Sequence, residues 1–522
     1  MNKILSITAG LALTATTAFG QTGSTYAGEA FKNSEVLQTG TARFRGLGGN
    51  HAALGGDASN AFGNPAGLAF YNRSEVSFSP TMLLTNSNST YIGNTQSSSK
   101  ARPAISQFGL IFANNDPQNN SRWKRTAFGV TYSQQINYLT NQSFGGRNLN
   151  ANSSFLQPFI NDANNSNLLG SAIDKEYNSK TNQATDLLAA AYQLYLVNGT
   201  DINSGTNKGD SGTPYFRFDA ATPKDQTGTF DATGANSQWS FAYAGNLDDK
   251  LYVGASLNFQ RVRYTSDFVF TETPVGGKTF NNYGQRDQLT VRGGGAIISA
   301  GAIYKPTPGI QLGATITTPS LFANYSETFS QSLRASVKDP KLSIGVDNID
   351  VIPADFTYRI TSPLRASGGA TVFLGTRKVG FLTATAEYVG YSGMKASTTG
   401  YDAQGNTSFG KDVASAVKST YQDVINFRVG AEFRTGILRL RGGVGYLPDP
   451  YRQKLDNLDR TKLLVSGGLG VRNERFFADL SGTLYTQKSA FTPYTLPSSR
   501  DYASAQTTAS NSNVVLSVGA FF

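Results

Sequence analysis

The stretch VINFRVGAEFRTGILRLRGGVGY, Val424–Tyr446, places apolar side chains at almost every second position over 425–433 and again over 438–446. The positions between them carry polar or charged side chains or glycine. Successive side chains of a β-strand point to opposite faces, so each half predicts a strand with one apolar and one polar face. Thr435-Gly436 separates the two halves and is short enough for a tight hairpin.

The same alternation recurs along most of the chain, for example in LYVGASLNF from Leu251 and GFLTATAEYVGY from Gly380. Hydrophobic residues make up 39% of the chain, which suits strands with an apolar outer face and a polar inner face. We count about fourteen such segments, beginning near residues 74, 104, 125, 237, 250, 288, 310, 356, 379, 421, 437, 462, 475 and 513. This pattern predicts an all-β fold, a transmembrane antiparallel β-barrel of about 14 strands.

The connections between these segments alternate in length. Short turns are predicted at 246–249, 305–308, 376–378, 435–436 and 472–473, and polar excursions near 139–235, 271–285, 329–354, 393–419, 449–461 and 487–512. Outer-membrane barrels have short periplasmic turns on one rim and long extracellular loops on the other. The alternation therefore predicts that residues 73–522 form the barrel, with 139–235 as a long extracellular loop.

The long loop contains DLLAAAYQLYLV, Asp186–Val197, whose alanine and leucine content predicts a short helix capped by Asp186. Its apolar side chains lie nearly all round the helix. They form either the loop's own core or a first contact for an apolar ligand.

The chain begins like an exported protein. Lys3 precedes an apolar run from Ile4 to Phe19, so residues 1–20 are predicted to be a signal peptide. Cysteine is absent, which excludes thiol chemistry and cysteine-ligated metal sites. The net charge is +10, but the basic residues are spread along an exported chain, so nucleic acid is not an expected partner.

The segment GGDASNAFGNPAGLAF, residues 55–70, precedes the first predicted strand. It is too rich in glycine and alanine for a packed strand, and Pro65 interrupts a helix. Glycine permits close approach of one backbone to another, so residues 21–72 are predicted to form a compact segment inside the lumen. A phosphate-binding loop is excluded because no strand precedes the glycines and no Lys-Ser/Thr pair follows them.

The stretch TARFRGLGGNHAALGGDASNAFGNPAGLAFYNRSEVSFSP, residues 41–80, resembles the amino-terminal hatch and first strand of the FadL family of outer-membrane channels. This family, also called OMPP1/TodX, carries long-chain fatty acids and aromatic hydrocarbons, and the chain looks most similar to its branch labelled haemin receptors. Asn64-Pro65-Ala66-Gly67 matches the family's most distinctive signature. The last strand, VVLSVGAFF, ends in Phe522 and resembles the terminal signature of outer-membrane barrels. The resemblance does not cover the loop 139–235.

The resemblance implies passive uptake of hydrophobic small molecules across a Gram-negative outer membrane. Residues 21–72 would be a hatch that plugs the barrel, with Asn64, Pro65, Ala66 and Gly67 as its structural and gating element. A kinked strand would open a lateral way into the outer leaflet. Outer-membrane lipid, lipopolysaccharide and the barrel-assembly machinery are the expected partners, and no cofactor or metal is expected.

Candidate ligand-binding residues are Arg428, Glu432, Arg439 and Arg441, which alternate with apolar side chains on adjacent strands. One of these arginines is able to form an ion pair with a fatty-acid carboxylate. Alternatively, the four residues form charge pairs that stabilise the lumen or hold the hatch. His51, the single histidine, is more typical of a hydrogen-bonded packing residue than of a haem ligand.

We expect no enzymatic activity, because a membrane-embedded serine hydrolase would need its histidine on the barrel wall. A plugged barrel that acts as a docking or scaffold subunit for secreted or surface proteins is the alternative function. Deep burial of an apolar ligand would indicate transport, whereas large polar loops suit docking. A general porin fits less well, because the hatch would block a water-filled pore.

Overall fold

The computed structural model describes residues 23–37, 39–115, 121–203, 205–375 and 379–522. The predicted signal peptide over 1–20 and the predicted turn over 376–378 lie outside these residues. Among the described residues, no helix combines the length and the apolar character needed to cross a membrane.

The described residues form a closed antiparallel barrel of fourteen strands, as the alternation predicted. The first strand pairs with the last from Glu75–Phe521 to Thr90–Gln506, which closes the barrel. The barrel strands are β1 Glu75–Tyr91, β2 Asn94–Asn114, β3 Trp123–Asn137 with Thr140–Asn148, β4 Lys224–Leu247, β5 Leu251–Pro274, β6 Phe280–Thr307, β7 Ile310–Thr317 with Leu321–Val337, β8 Asn348–Val351 with Ala354–Thr361 and Arg365–Leu374, β9 Gly380–Val389 with Lys395–Thr398, β10 Val424–Thr435, β11 Leu438–Leu447, β12 Lys462–Arg472, β13 Phe476–Phe491 and β14 Ala505–Phe521.

The helices lie before the barrel and in its long connections. The α-helices are α1 Gly23–Lys32, α2 Ala42–Gly46, α3 Gln157–Asn165, α4 Gly170–Asp174, α5 Leu187–Gln193 and α6 Ala403–Thr420. Short 3-10 helices span Ala58–Ala61, Pro65–Phe70, Gly205–Asn207, Tyr391–Gly393 and Leu455–Asn457. The connection between β3 and β4 also holds the short strands Tyr177–Asn178, Gln183–Ala184, Asn198–Ile202 and Asp210–Phe216.

The predicted sorting of connections by length holds for most of the barrel, although the external turn 92–93 has two residues and the connection 115–122 at the opposite rim has eight. Residues 248–250 and 436–437 join strands at the rim where β1 begins and β14 ends, whereas 149–223 and 399–423 join strands at the other rim. We call the rim with the long connections external. The long-loop prediction over 139–235 is too wide, because β3 continues to Asn148 and β4 already begins at Lys224.

The strands extend further than predicted because their external halves lose the apolar face. On β5, the outward side chains change from Leu257 and Phe259 to Arg261 and Arg263, while pairing with β4 continues to Pro274. On β5 the inward side chains of this half, Val262, Tyr264 and Phe268, are buried and apolar, so the apolar face changes from outside to inside. On β2, residues 94–103 are polar on both faces and show no alternation, so β2 begins at Asn94 rather than near 104.

Alternate side chains in the other half of each strand form an apolar band around the outside of the barrel. The exposed side chains of the band include Phe78, Phe241, Phe259, Phe427 and Leu516. A closed barrel satisfies every wall hydrogen bond internally, so a barrel with such a band is suited to span a bilayer.

The loop helix predicted over 186–197 is observed as α5, and Asp186 accepts a hydrogen bond from the Ala189 backbone nitrogen at 2.8 Å. Leu188, Leu194 and Val197 are buried in a large apolar cluster in the external half of the molecule. The apolar face of this helix therefore belongs to a packed core.

Residues 41–71, which we call the N-terminal segment, lie against inward-facing residues of the wall. Its backbone approaches wall glycines so closely that a β-carbon would not fit between them. A β-carbon at Gly313 of β7 would lie 1.8 Å from the Ala52 carbonyl oxygen, and one at Gly443 of β11 would lie 2.2 Å from the Gly48 nitrogen. These contacts set the position of the segment within the barrel.

We expect Gly443→Ala to lower the free energy of unfolding by about 1–3 kcal/mol, since it adds a methyl group to a filled contact. A β-carbon at the neighbouring Gly442 would have no other atom within 4 Å. Gly442→Ala is therefore the matched control and is expected to be neutral. The measurement is urea unfolding of each variant in lipid vesicles. Equal stability of the two variants would contradict the close fit.

Candidate functional site

The Asn-Pro-Ala-Gly turn joins the N-terminal segment to two wall strands. Asn64 caps the helix Pro65–Phe70, because its Oδ1 accepts a hydrogen bond from the Ala66 nitrogen at 3.1 Å. Its Nδ2 donates to the carbonyl oxygens of Ala52 at 2.6 Å and of Ala302 and Ala314 at 3.3 Å. One side chain therefore shapes the turn and attaches it to β6 and β7.

A buried ionic cluster joins α2 to three further wall strands. Arg441 of β11 bridges Glu432 of β10 at 2.7 Å and Asp479 of β13 at 2.5 Å. Arg43 of the N-terminal segment approaches the same Glu432 at 3.6 Å, and Arg434 bonds to it at 2.7 Å. Glu432 and Arg441, two predicted ligand-binding residues, therefore belong to this cluster and hold the segment by charge.

Arg428, a third predicted residue, belongs to a separate charge group. It pairs with Glu387 of β9 at 2.8 Å, and Arg365 of β8 pairs with the same carboxylate at 3.3 Å. Arg428 also donates to the Leu37 carbonyl oxygen at 3.3 Å, and Arg365 donates to the Ser34 carbonyl oxygen. This group has two positive charges and one negative charge.

Arg439, the fourth predicted residue, lies at the short-turn rim. Its Nη1 donates to the carbonyl oxygens of Gly436 at 2.7 Å and Leu438 at 2.8 Å. It lies outside both charge groups, so the structure does not bring the four predicted residues together.

A cavity of about 120 Å³ lies between the wall and the chain that precedes β1. Arg428, Arg365 and Glu387 line it, whereas Glu432, Arg439 and Arg441 are not among its lining residues. Amide and aromatic side chains also line the cavity: Gln135, Gln238, Asn258, Gln260, Phe44 and Phe62. The cavity thus offers both apolar and polar contacts, including a net positive charge on one side.

His51 lines the same cavity and joins the segment to the wall. Its Nε2 lies 3.0 Å from the Ser367 Oγ of β8, and its Nδ1 lies 3.3 Å from the Gly49 carbonyl oxygen. Burial lowers the pKa of the imidazole, so the ring is neutral at pH 7. Because a carbonyl oxygen only accepts, Nδ1 carries the proton and Nε2 accepts from Ser367. His51 is therefore the hydrogen-bonded packing residue that the sequence indicated.

The barrel wall has a gap between β2 and β3. Backbone pairing of these strands runs from Asn114–Thr126 to Gln107–Ser133 and then ends, whereas β2 remains paired with β1 as far as Asn94. At the same point β3 shifts register against β4 at Gln135, and the regular ladder is interrupted again at 138–139, where the Tyr138 nitrogen alone donates to the Gly234 carbonyl oxygen at 3.2 Å. Further out, the Ser98 side chain donates to the Asn141 carbonyl oxygen at 3.0 Å, which rejoins the two strands.

The N-terminal segment and its flank lie directly behind this gap. Ser106 lies at the edge of the gap nearer the short-turn rim. It donates to the Gly40 carbonyl oxygen at 2.6 Å and accepts from Arg45 Nη2 at 2.9 Å. Gln135, the bulge residue of β3, lines the cavity. On the outside, Met82 of the apolar band is paired with Pro103 of β2 beside the gap. The interrupted pairing therefore lies beside a residue that lines the cavity, at the level of the apolar band.

Sequence reasoning missed the residues that form the gap and the partners of the predicted charges. The dipeptide Gln134-Gln135 does interrupt the alternation of β3 and was an available signal. Nothing local indicated Glu387, Arg43 or Ser106, because their partners lie far away in the sequence.

No protein-family model matches the sequence. No curated protein matches it either. A FadL homologue of Pseudomonas aeruginosa has a similar structure, with 13% sequence identity, 93% of this chain and 99% of that chain covered, and a TM-score of 0.53. The toluene transporter TodX of P. putida is similar over the same shares, with 13% identity and a TM-score of 0.51.

These similarities concern the fold. At the level of the fold, they confirm the resemblance seen in the sequence. A closed fourteen-stranded β-barrel with an apolar band belongs in a Gram-negative type of outer membrane. The external rim then faces the outside of the cell.

We expect Glu432→Gln to lower the free energy of unfolding by about 3–5 kcal/mol, because it leaves buried arginines without their shared carboxylate. Asp267→Asn is the control, since it removes an exposed ion pair with Arg286 and is expected to cost under about 1 kcal/mol. Urea unfolding in vesicles and limited proteolysis of the N-terminal segment are the two measurements. A small, equal effect of both substitutions would show that the cluster does not hold the segment.

Proposed function

We propose that this chain, whose barrel has the fold of the FadL homologue and of TodX, is an outer-membrane channel for passive uptake of hydrophobic small molecules. Long-chain fatty acids and aromatic hydrocarbons are the proposed ligand classes. The observation that carries the proposal is the gap between β2 and β3, which lies at the level of the apolar band with the N-terminal segment behind it.

The proposed route runs from the external side to the cavity and then through the gap. An apolar solute crosses a hydrated lipopolysaccharide layer poorly, and a protein route avoids this barrier. Each methylene group buried along the route stabilises the solute by about 0.8 kcal/mol, so no energy source is required. The gap would release the ligand sideways among acyl chains, where it is soluble.

The mixed lining of the cavity favours ligands with one polar end. Phe44 and Phe62 offer apolar contact, and the pair Arg428 and Arg365 exceeds its single carboxylate Glu387 by one positive charge. A fatty-acid carboxylate would balance this charge. A purely apolar hydrocarbon would use the aromatic side of the cavity and leave the ion group unchanged.

The proposed role of residues 21–72 is that of a hatch. Asn64, with Pro65, Ala66 and Gly67, would act as its gating element, since this turn attaches the segment to β6 and β7. The contacts of the segment with the wall include hydrogen bonds and ion pairs, which a displacement of a few ångströms is able to break. A movement of this kind would widen the path from the cavity to the gap.

A disulfide bond between the segment and the wall tests this role. A β-carbon at Gly46 of α2 would lie 3.6 Å from the Ser481 Cβ of β13, within the range of about 3.5–4.5 Å seen in disulfides. The chain contains no cysteine, so Gly46→Cys with Ser481→Cys forms one defined bond. We expect the oxidised variant to lose uptake of a labelled long-chain fatty acid and of toluene, and a reductant to restore it.

The matched control bond joins two wall strands without touching the segment. Thr233 and Thr265 are paired across β4 and β5, and their hydroxyl oxygens lie 3.0 Å apart. Thr233→Cys with Thr265→Cys is expected to leave uptake unchanged in both redox states. Full uptake by the oxidised Gly46–Ser481 variant would overturn the hatch role, and absence of uptake in the parent protein would overturn the channel. A parent protein that takes up nothing but retains a stoichiometric surface protein would indicate the docking function instead.

A further inference from the structure

Four arginines stand close together on the outward face of β5, β6 and β8. We call Arg261, Arg263, Arg292 and Arg359 the arginine patch, and all four side chains are exposed. The register places Arg263 directly opposite Arg292 on adjacent strands. Like charges directly opposite each other destabilise a sheet, so the fold itself gives no reason for this pair.

A second row of the patch crosses four strands. Arg261 lies opposite Gly294, Gly294 opposite Asn324, and Asn324 opposite Arg359. Asn324 Oδ1 accepts a hydrogen bond from Arg359 Nε at 2.9 Å. Gly294 carries no side chain, so bare surface separates Arg261 from Asn324 by two strand spacings, about 10 Å. The row forms a shallow notch with positive charge on both sides.

The carboxylates near the patch are engaged elsewhere. Asp267 pairs with Arg286 at 2.7 Å, and Asp355 accepts a hydrogen bond from the Thr328 hydroxyl at 2.6 Å. Within the described ranges, no ion pair joins a carboxylate to an arginine of the patch. The chain carries a net charge of +10, and this patch concentrates part of the excess on one side of the barrel.

The patch begins where the apolar band ends, in the external half of the wall. Phe259 stands two residues from Arg261 on the same face of β5 and is exposed. Phe322 stands two residues from Asn324, with 86% of its surface exposed and a φ of 53°. A left-handed conformation is unfavourable for a bulky residue, yet it holds this aromatic ring outward at the edge of the band. Charge and exposed aromatic rings therefore meet at the boundary between lipid headgroups and acyl chains.

We propose that the arginine patch binds the phosphate groups of the phosphorylated glycolipid in the outer leaflet. Guanidinium groups bind phosphate oxygens through two parallel hydrogen bonds, and a phosphate between Arg263 and Arg292 removes their mutual repulsion. Phe259 and Phe322 contact the acyl chains of the same lipid. This inference depends on the placement of the barrel in an outer membrane and is independent of the uptake route.

The test compares Arg261→Gln/Arg263→Gln/Arg292→Gln with the control Arg286→Gln. Arg286 also faces outward on β6 but is already paired with Asp267. Each purified, detergent-solubilised protein is titrated with phosphorylated lipid A, with the same lipid after removal of its phosphates, and with phosphatidylglycerol. Loss of three arginines near anionic headgroups is expected to weaken binding of phosphorylated lipid A by about a hundredfold. The control is expected to bind like the parent protein.

A second measurement separates lipid binding from a structural role. In detergent without glycolipid, Arg263→Gln is expected to raise the unfolding temperature, because it removes a like-charge contact, while it weakens binding of phosphorylated lipid A. Unchanged lipid A binding by the triple variant would overturn the proposal. So would equal binding of the dephosphorylated lipid or of phosphatidylglycerol, or a lower unfolding temperature of Arg263→Gln.

Discussion

A fourteen-stranded barrel encloses more space than its own inward side chains fill, and here the backbone of residues 41–71 occupies part of that space. The fit is so close that wall positions facing the segment exclude a β-carbon, as between Gly313 and Ala52 and between Gly443 and Gly48. A contact of this kind requires glycine in the wall and small residues in the segment. The glycines at these contact positions therefore follow from one constraint.

Polar contacts add to this close fit in holding the segment in place. Asn64 reaches backbone oxygens of two strands, Arg43 reaches Glu432, and His51 reaches Ser367. Such contacts are strong at one geometry and weak a short distance away, because hydrogen bonds depend steeply on distance and angle. The segment is therefore held by polar contacts as well as by apolar packing, in which Leu68 and Tyr71 meet Ile111, Tyr252 and Ile303 of the wall. In the proposed hatch role, a movement of the segment breaks both kinds of contact.

The chemical character of the outer surface changes along the barrel axis. The apolar band meets acyl chains, and the gap between β2 and β3 lies at that level, so the proposed sideways release would deliver a solute into an apolar phase. The arginine patch stands beyond the band on β5, β6 and β8, where headgroup phosphates are found. A glycolipid held at the patch would keep the barrel at a constant depth, with the gap among the acyl chains.

The alternation seen in Val424–Tyr446 and repeated along the chain was enough to predict most strands, their outward faces and their approximate number, because a period of two residues is a local property of the chain. The external halves of β3 and β4 were missed because their outward faces are polar and their inward faces mix Phe144, Phe230 and Ala232 with polar residues, which blurs the alternation. Only the tertiary structure decided that Arg428 meets Glu387, that Arg43 meets Glu432, and that the wall opens between β2 and β3. These contacts depend on the register between segments far apart in the chain, and register is set by the closed barrel and the segment inside it.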